Sequence, residues 1–422
     1  MRLASPVVST QLPVRARFAA RVTRRVAAVS RAAGRGDGSV IGGRVGLGLD
    51  PRLLHRLAAG RQVAVVSGTN GKTTTTRLTA AAIGVLGPVA SNPFGANLPN
   101  GHVSALALAP DTKYAVLEVD EHYLPHVCDA ARPQVMAMLN LTRDQLDRAM
   151  EVAMIAKLWR DTVSGRHLHV VANADDPMVV WAANAAEEVS WVAAGQRWHD
   201  DSAVCPECGS AIERVPHADG TATHWRCTGC ALARPQAQWT LDGEAVIDPD
   251  GNRHDVKLQL PGRVNRANAA MALAVAARFG VRPNDALPRL AEVTSVAGRY
   301  AVVERDGKAI RLLLAKNPAG WLEAFDMAEQ APTLLCINAR DPDGLDTSWL
   351  FDVDFAPLRG RRVLISGDRA YDLGVRLAVN GVDFVHVRSF TDALAAMPDG
   401  RTEVIANYTA FQQIRAELNR VD

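Results

Sequence analysis

Apolar positions along the chain fall into short β-branched runs that alternate with helical spacings. Val63 to Val66 is the first strong run; it breaks at Ser67-Gly68-Thr69-Asn70-Gly71 and continues into Lys72-Thr73-Thr74-Thr75-Thr76, which reads as a helix opening. Similar runs at Tyr114 to Val119, Val135 to Leu139 and Leu168 to Ala172 each end in polar, turn-forming residues. A helix carrying Asn265 and Asn268 runs to about Phe279. From about Arg299 the runs Leu312 to Ala315, Leu334 to Ile337, Val363 to Ser366, Phe384 to Val387 and Val404 to Ala406 alternate with helical stretches. This pattern predicts two α/β units, a central domain over 41–297 and a Rossmann-like C-terminal domain over 298–422, preceded by a basic segment over 1–40.

In that segment Val14, Phe18, Val22 and Val26 repeat every four residues, predicting a helix with one apolar stripe beside arginines. Seven of those arginines are Arg15, Arg17, Arg21, Arg24, Arg25, Arg31 and Arg35, and no acid precedes Asp37. A transit peptide has the same composition, but the periodicity favours a helix of the mature chain. Such a helix can sit near anionic phosphates or lipid head groups; a solvated charged face is the plainer alternative. No run of 18 apolar residues exists, so no membrane-spanning helix is expected.

Composition narrows the classes. With 422 residues, 48% of them hydrophobic, the chain can bury a large core and form two or three domains. A net charge of +2 argues against a dedicated nucleic-acid binder. Six clustered cysteines are too few for a disulfide scaffold, which makes the cytoplasm the expected compartment.

The stretch after Val66 carries the first chemistry. Gly68 and Gly71 allow a tight turn whose N–H groups, with those of Thr69, Asn70 and Thr74, aim at phosphate oxygens near a helix N-terminus. Lys72 reaches the outer phosphates and Thr73 can bind Mg2+; nothing in the sequence implies a packing partner for Lys72. The strand Tyr114-Ala115-Val116-Leu117-Glu118-Val119 ends beside this loop in such a sheet, and Glu118 is the first choice for a magnesium ligand. Asp120, Glu121 and His122 read equally as a solvated strand end. Further on, Cys205-Pro206-Glu207-Cys208 and Cys227-Thr228-Gly229-Cys230 make two knuckles 18 residues apart. Four thiolates so spaced form a closed tetrahedral site, hence a structural zinc ribbon over about 200–235 inserted in the central domain.

The loop Gly68-Thr69-Asn70-Gly71-Lys72-Thr73-Thr74 resembles that of the Mur ligase family, which includes peptidoglycan amino-acid ligases and folylpolyglutamate synthase. It departs from the general P-loop at Val66, where glycine is usual. The resemblance implies an ATP- and Mg2+-dependent ligase. It also implies adenine contact by Asn265 and Asn268, otherwise readable as cap and helix-face amides, and phosphate contact by Arg299 in Gly298-Arg299. Gln145 stands where the family has a metal-binding histidine, and Lys157 lies near the slot of a carbamylated lysine. Asn173-Ala174-Asp175-Asp176 matches another family element.

The loop lies only about 60 residues in, which leaves no room for a leading UDP-sugar domain. The ribbon, Arg143-Asp144-Gln145-Leu146-Asp147-Arg148, Lys316-Asn317-Pro318 and Asp343-Gly344-Leu345-Asp346-Thr347-Ser348-Trp349 then resemble a narrower group, the synthetase subunits of lipid II isoglutaminyl synthases. That likeness implies amidation of the D-glutamate α-carboxylate of the lipid II stem peptide, with ammonia from a GatD-like glutaminase partner, at the inner membrane face. It further implies an aspartate lent to the partner's catalytic triad, Asp346 first and Asp352 second. Neither Cys128 nor Cys336 has the flanking glycines of a glutaminase nucleophile, so ammonia comes from another chain. The rival readings are a folylpolyglutamate or cyanophycin-type amino-acid ligase and a non-enzymatic nucleotide-binding protein.

Overall fold

The structure, a computed structural model, describes residues 12–33, 38–92, 95–143, 151–216, 223–294, 300–328 and 330–419. The chain divides into two compact units, one of residues 1–141, 152–259 and 265–293, the other of residues 142–151, 260–264 and 294–422.

The first unit is built on nine strands: β1 (Gln62–Ser67), β2 (Val89–Ser91), β3 (Tyr114–Glu118), β4 (Val135–Met138), β5 (His169–Asn173), β6 (Glu188–Ala193), β9 (Trp239–Asp242), β10 (Ala245–Ile247) and β11 (Arg253–Asp255). Their order is β11-β10-β9-β6-β5-β4-β1-β3-β2, parallel from β9 to β2, with β10 and β11 added antiparallel at one edge. Val63 to Val66 are fully buried, because helices cover both faces of a parallel sheet; this is why β1 reads as an unbroken β-branched run. β1 lies between β3 and β4: the chain passes from β1 to β2 on one side and from β3 across to β4 on the other, and this reversal marks the crevice where open α/β sheets bind ligands. Between β6 and β9 the chain forms an antiparallel ribbon of β7 (Ile212–Pro216) and β8 (Thr223–Cys227).

Two helices open the unit, α1 (Val14–Ala32) and α2 (Ser39–Leu49). The helix expected around Val14 to Val26 is present, but its large apolar side chains do not form the packed face. Ala16, Ala19, Ala20, Thr23, Ala27 and Ser30 are buried instead. The reason lies in α2: a Cβ on Gly42 would sit 2.8 Å from the Thr23 carbonyl oxygen, and one on Gly46 2.2 Å from Thr23 Oγ1. Helices this close leave room only for small side chains, so Val14 and Phe18 turn outward.

The second unit is a six-stranded sheet of β12 (Tyr300–Arg305), β13 (Lys308–Leu314), β14 (Thr333–Cys336), β15 (Val363–Ser366), β16 (Phe384–His386) and β17 (Gly400–Ala406), ordered β12-β13-β17-β14-β15-β16. All neighbours are parallel except the β12–β13 hairpin. One apolar cluster gathers Trp321, Phe325, Trp349 and Phe355; another gathers Phe390, Phe411 and Ile414. Five of these strands follow the apolar runs; β12 adds a sixth, whose alternating exposure hides it from a search for continuous runs.

Candidate functional site

β1 feeds a loop whose backbone only glycine adopts comfortably at two points: φ is 151° at Gly68 and 83° at Gly71. Added Cβ atoms would also lie 2.7 Å from Leu139 Cβ at Gly68 and 2.6 Å from Asn268 Oδ1 at Gly71. Lys72 opens the following helix (Lys72–Ile83) and folds back into the loop. Its Nζ donates to the carbonyls of Gly68 and of Thr69, the latter at 3.2 Å, and pairs with Glu121 Oε2 at 2.9 Å. Both members of that pair are buried, so Lys72 has the partner that the sequence did not reveal, and Glu121 is no solvated strand end. Asp120 instead caps the turn after β3, accepting from the His122 backbone N–H at 3.1 Å.

Thr73 Oγ1 donates to Glu118 Oε1 at 3.1 Å, so the hydroxyl and carboxylate chosen for magnesium stand side by side. These are hard oxygen donors beside a glycine-bearing loop that opens a helix, a set that fits Mg2+. Three residues that motif reading missed hold this set. The Glu118 backbone N–H donates to Asn92 Oδ1 at 2.8 Å, and its carbonyl accepts from Asn92 Nδ2 at 2.9 Å and His102 Nε2 at 2.7 Å. His102 is fully buried, which pushes its pKa down to about 4 and keeps it neutral, with the proton on Nε2. Asn140 grips the loop from the other side: its Oδ1 accepts from the Asn70 N–H at 2.9 Å and its Nδ2 donates to the Asn70 carbonyl at 3.0 Å. Only position could have flagged Asn140, since it follows the run Val135 to Leu139 at a strand end facing the loop.

Asn268 is buried, accepts from Thr75 Oγ1 at 3.2 Å and donates to Asn265 Oδ1 at 3.4 Å. It therefore packs on the helix Lys72–Ile83, with half-buried Asn265 beside it. Thr74 is buried in the same helix. Arg299 and Gln145 lie outside the described residues. Lys157 points to solvent and pairs with Asp161 at 2.7 Å, a solvated i, i+4 pair.

Cys205, Cys208, Cys227 and Cys230 bring four Sγ atoms within 4.8 Å of one another, with Cys205–Cys230 at 3.7 Å and Cys208–Cys227 at 3.4 Å. A tetrahedron of sulfurs bound to Zn2+ at about 2.3 Å has edges of about 3.8 Å, so the donor set fits that ion. The ribbon is seated on the turn after β5: Trp225 Nε1 donates to the Ala174 carbonyl at 3.0 Å, and Arg234 pairs with Asp175 at 2.7 Å. In the same turn Asp176 caps the next helix through Met178 N–H and accepts from Leu141 N–H at 2.9 Å. Complete burial pushes the Asp176 carboxyl up to about 6.

In the second unit Asp343 is buried and accepts from Thr409 N–H at 2.8 Å, a structural tie between loop and helix. Asp346 is exposed, accepts from Ser348 N–H at 2.8 Å, and lines a cavity of about 500 Å3 with Leu345, Phe351, Arg369, Val375 and Arg376. Trp349 is buried against Trp321, which anchors the loop. Asp352 is engaged by Arg143 at 3.1 Å. Asn317, of Lys316-Asn317-Pro318, is fully buried and caps the following helix through Gly320 N–H at 2.9 Å. Cys128 and Cys336 are buried, and desolvation pushes each thiol up to about 12, far from a reactive thiolate.

Comparison with known proteins bears on the whole chain. The Mur ligase middle domain family model matches residues 66–276, and the MurT ligase C-terminal model matches residues 314–411. The lipid II isoglutaminyl synthase (glutamine-hydrolyzing) subunit MurT of Staphylococcus aureus is 29% identical over 418 aligned residues, covering 93% of this chain and 95% of that one. Its counterpart from Streptococcus pneumoniae is 28% identical, covering 91% and 93%. Among solved structures, a pseudomurein peptide ligase type C from Methanothermus fervidus superposes with a TM-score of 0.65 at 18% identity, over 85% of this chain and 78% of that one. Mycobacterium tuberculosis folylpolyglutamate synthase complexed with ADP gives 0.56 at 16% identity, over 87% and 93%; both likenesses speak to the fold. With the middle-domain match spanning half of its 422 residues, the chain belongs to the Mur ligase family, and its C-terminal domain is of the MurT type.

Proposed function

We propose that this chain is the synthetase subunit of a glutamine-dependent amidotransferase, an ATP-dependent carbon–nitrogen ligase of cell-wall synthesis. It converts the D-glutamate α-carboxylate of the lipid II stem peptide to D-isoglutamine. The observation that carries this reading is the end-to-end similarity to MurT subunits; the Thr73–Glu118 hydrogen bond and the Lys72–Glu121 pair beside the glycine-bearing loop support it.

In this mechanism the Gly68–Thr74 backbone amides hold the ATP phosphates, and Lys72 exchanges Glu121 and two carbonyls for phosphate oxygens. Thr73 and Glu118 hold Mg2+, which when bound neutralises phosphate charge. Asn268 keeps the loop in shape through Thr75, and Asn265 and Arg299 are assigned to the nucleotide. The substrate carboxylate displaces ADP from the γ-phosphorus to give an acyl phosphate; ammonia attacks the acyl carbon, the C–O bond breaks, phosphate leaves and a proton is released. Zn2+ held by Cys205, Cys208, Cys227 and Cys230 stiffens the ribbon and takes no part in this chemistry.

The ammonia source is a separate glutaminase, in line with the buried, protonated Cys128 and Cys336. Asp346, exposed on its turn, is the aspartate offered to that partner's triad. Asp352, held by Arg143, is second. Peripheral attachment at the inner membrane face belongs to the same reading.

Incubation with lipid II, ATP and either ammonium or glutamine tests it, with product read by mass spectrometry. Ammonium should support amidation by this chain alone, and glutamine only after a glutaminase subunit is added. A product carrying an added amino acid would overturn the reading in favour of an amino-acid ligase.

A further inference from the structure

The α1–α2 pair carries several large apolar side chains on the outside. Small residues of α1 fill the contact with the α2 glycines, while Val14, Phe18 and Val29 are 73%, 58% and 68% exposed. Val14, Phe18, Arg21, Arg25 and Val29 are spaced four, three, four and four residues apart, which places them on one helical face. α2 adds exposed Val40, Ile41, Arg44 and Val45. No acid precedes Asp37, and the next one, Asp50, is buried against Arg56 at 2.8 Å. Neither helix is long and apolar enough to cross a membrane.

We infer that the α1–α2 face docks on an anionic lipid bilayer, with α1 lying in the head-group plane. The apolar side chains reach the acyl boundary while Arg17, Arg21 and Arg25 meet lipid phosphates, their stems lying along the apolar zone. Apolar and cationic side chains sharing one stripe select this occupant. A nucleic acid would match the arginines and leave Phe18 and the valines in water; a second copy of the face would bring arginines against arginines. The inference rests on the proposed function only for the reason the chain works at a membrane.

Co-sedimentation of the full chain with vesicles of phosphatidylglycerol and phosphatidylcholine, against phosphatidylcholine alone, tests it. Binding should need the anionic lipid and weaken in about 0.5 M salt. Arg21→Ser with Arg25→Ser should lower partitioning about thirtyfold, and Val14→Ser with Phe18→Ser about tenfold or more. Absence of binding to anionic vesicles, unchanged binding by both double variants, or arginine-dependent binding of duplex DNA with no vesicle binding would each overturn the inference. So would concentration-dependent self-association through Phe18 without vesicle binding. Amidation assayed in parallel on detergent-solubilised lipid II separates the two readings. Amidation without vesicle binding removes the docking surface and leaves the function standing; vesicle binding without amidation supports the surface and removes the function.

Discussion

Replacing Lys72 with methionine should damage the protein twice, once through the chemistry and once through Glu121. The pair is held at 2.9 Å with side-chain exposures of 4% and 7%, so solvent cannot screen the carboxylate once the ammonium is gone. Removing one partner of a buried pair costs about 3–5 kcal/mol, because the remaining charge is left uncompensated in a low-dielectric site. Glu121→Gln removes that charge. The double variant Lys72→Met with Glu121→Gln should therefore recover most of the lost stability, about 2 kcal/mol or more above Lys72→Met alone.

Activity should follow a different order. Lys72→Met and the double variant should both fall by about 10²–10³-fold or more in kcat, since each lacks the group that stabilises charge on the transferring phosphoryl. Glu121→Gln should remain active. Urea denaturation of the four proteins supplies the stability cycle, and ATP-dependent amidation supplies the rates. If the double variant is no more stable than Lys72→Met, the uncompensated-charge argument fails; near-normal amidation by Lys72→Met sinks the phosphate assignment.

The other predictions concern metal, partner and pH. One zinc per chain should be found by metal analysis, held with about 10 kcal/mol or more of binding free energy, and Cys205→Ser should lose it and destabilise the ribbon; a metal-free native protein or an iron–sulfur spectrum counts against this. Asp346→Asn should reduce glutamine-driven amidation with the glutaminase subunit by up to about 10⁴-fold while ammonium-driven amidation survives. Normal glutamine hydrolysis by both Asp346→Asn and Asp352→Asn would falsify the shared triad. His102, pushed from an ordinary 6.5 down to about 4 by burial, binds a proton in the unfolded chain that the folded one refuses. Its contribution is thus complete above about pH 6.5 and falls as the pH drops towards 4. Asp176, pushed up to about 6, acts with the opposite slope, so the comparison is with His102→Gln, whose denaturation midpoint should fall less between about pH 7 and 5. An equal fall in both proteins would refute the assignment.

What could be read in advance depended on whether a residue's role left a mark on its own stretch of chain. β1 did, because burial on both faces demands a continuous β-branched run; Gly68 and Gly71 did, because their backbone angles and close neighbours exclude a side chain. The four cysteines did, because their spacing has few other uses. Asn92, His102 and Asn140 did not: each acts on another segment's backbone, and which segment that is depends on strand order. Glu121 was ambiguous for a similar reason. A carboxylate at a strand end is solvated unless a buried cation meets it, and Lys72 lies 49 residues earlier.

The opening helices show the same limit from the opposite side. Four glycines among the eleven residues of α2 argue against a helix on propensity, so that element was not expected; it exists because α1 and the Pro99–Leu108 helix pack on it more closely than any side chain would allow. The four-residue repeat in α1 marked a helix and left open which face packs, since periodicity locates apolar side chains without saying how deep a groove the neighbour offers. A groove lined by glycine accepts alanine and threonine and turns phenylalanine out. The exposed Val14, Phe18 and Val29 therefore follow from the α2 glycines, and arginines are interleaved along the surface that this exclusion builds.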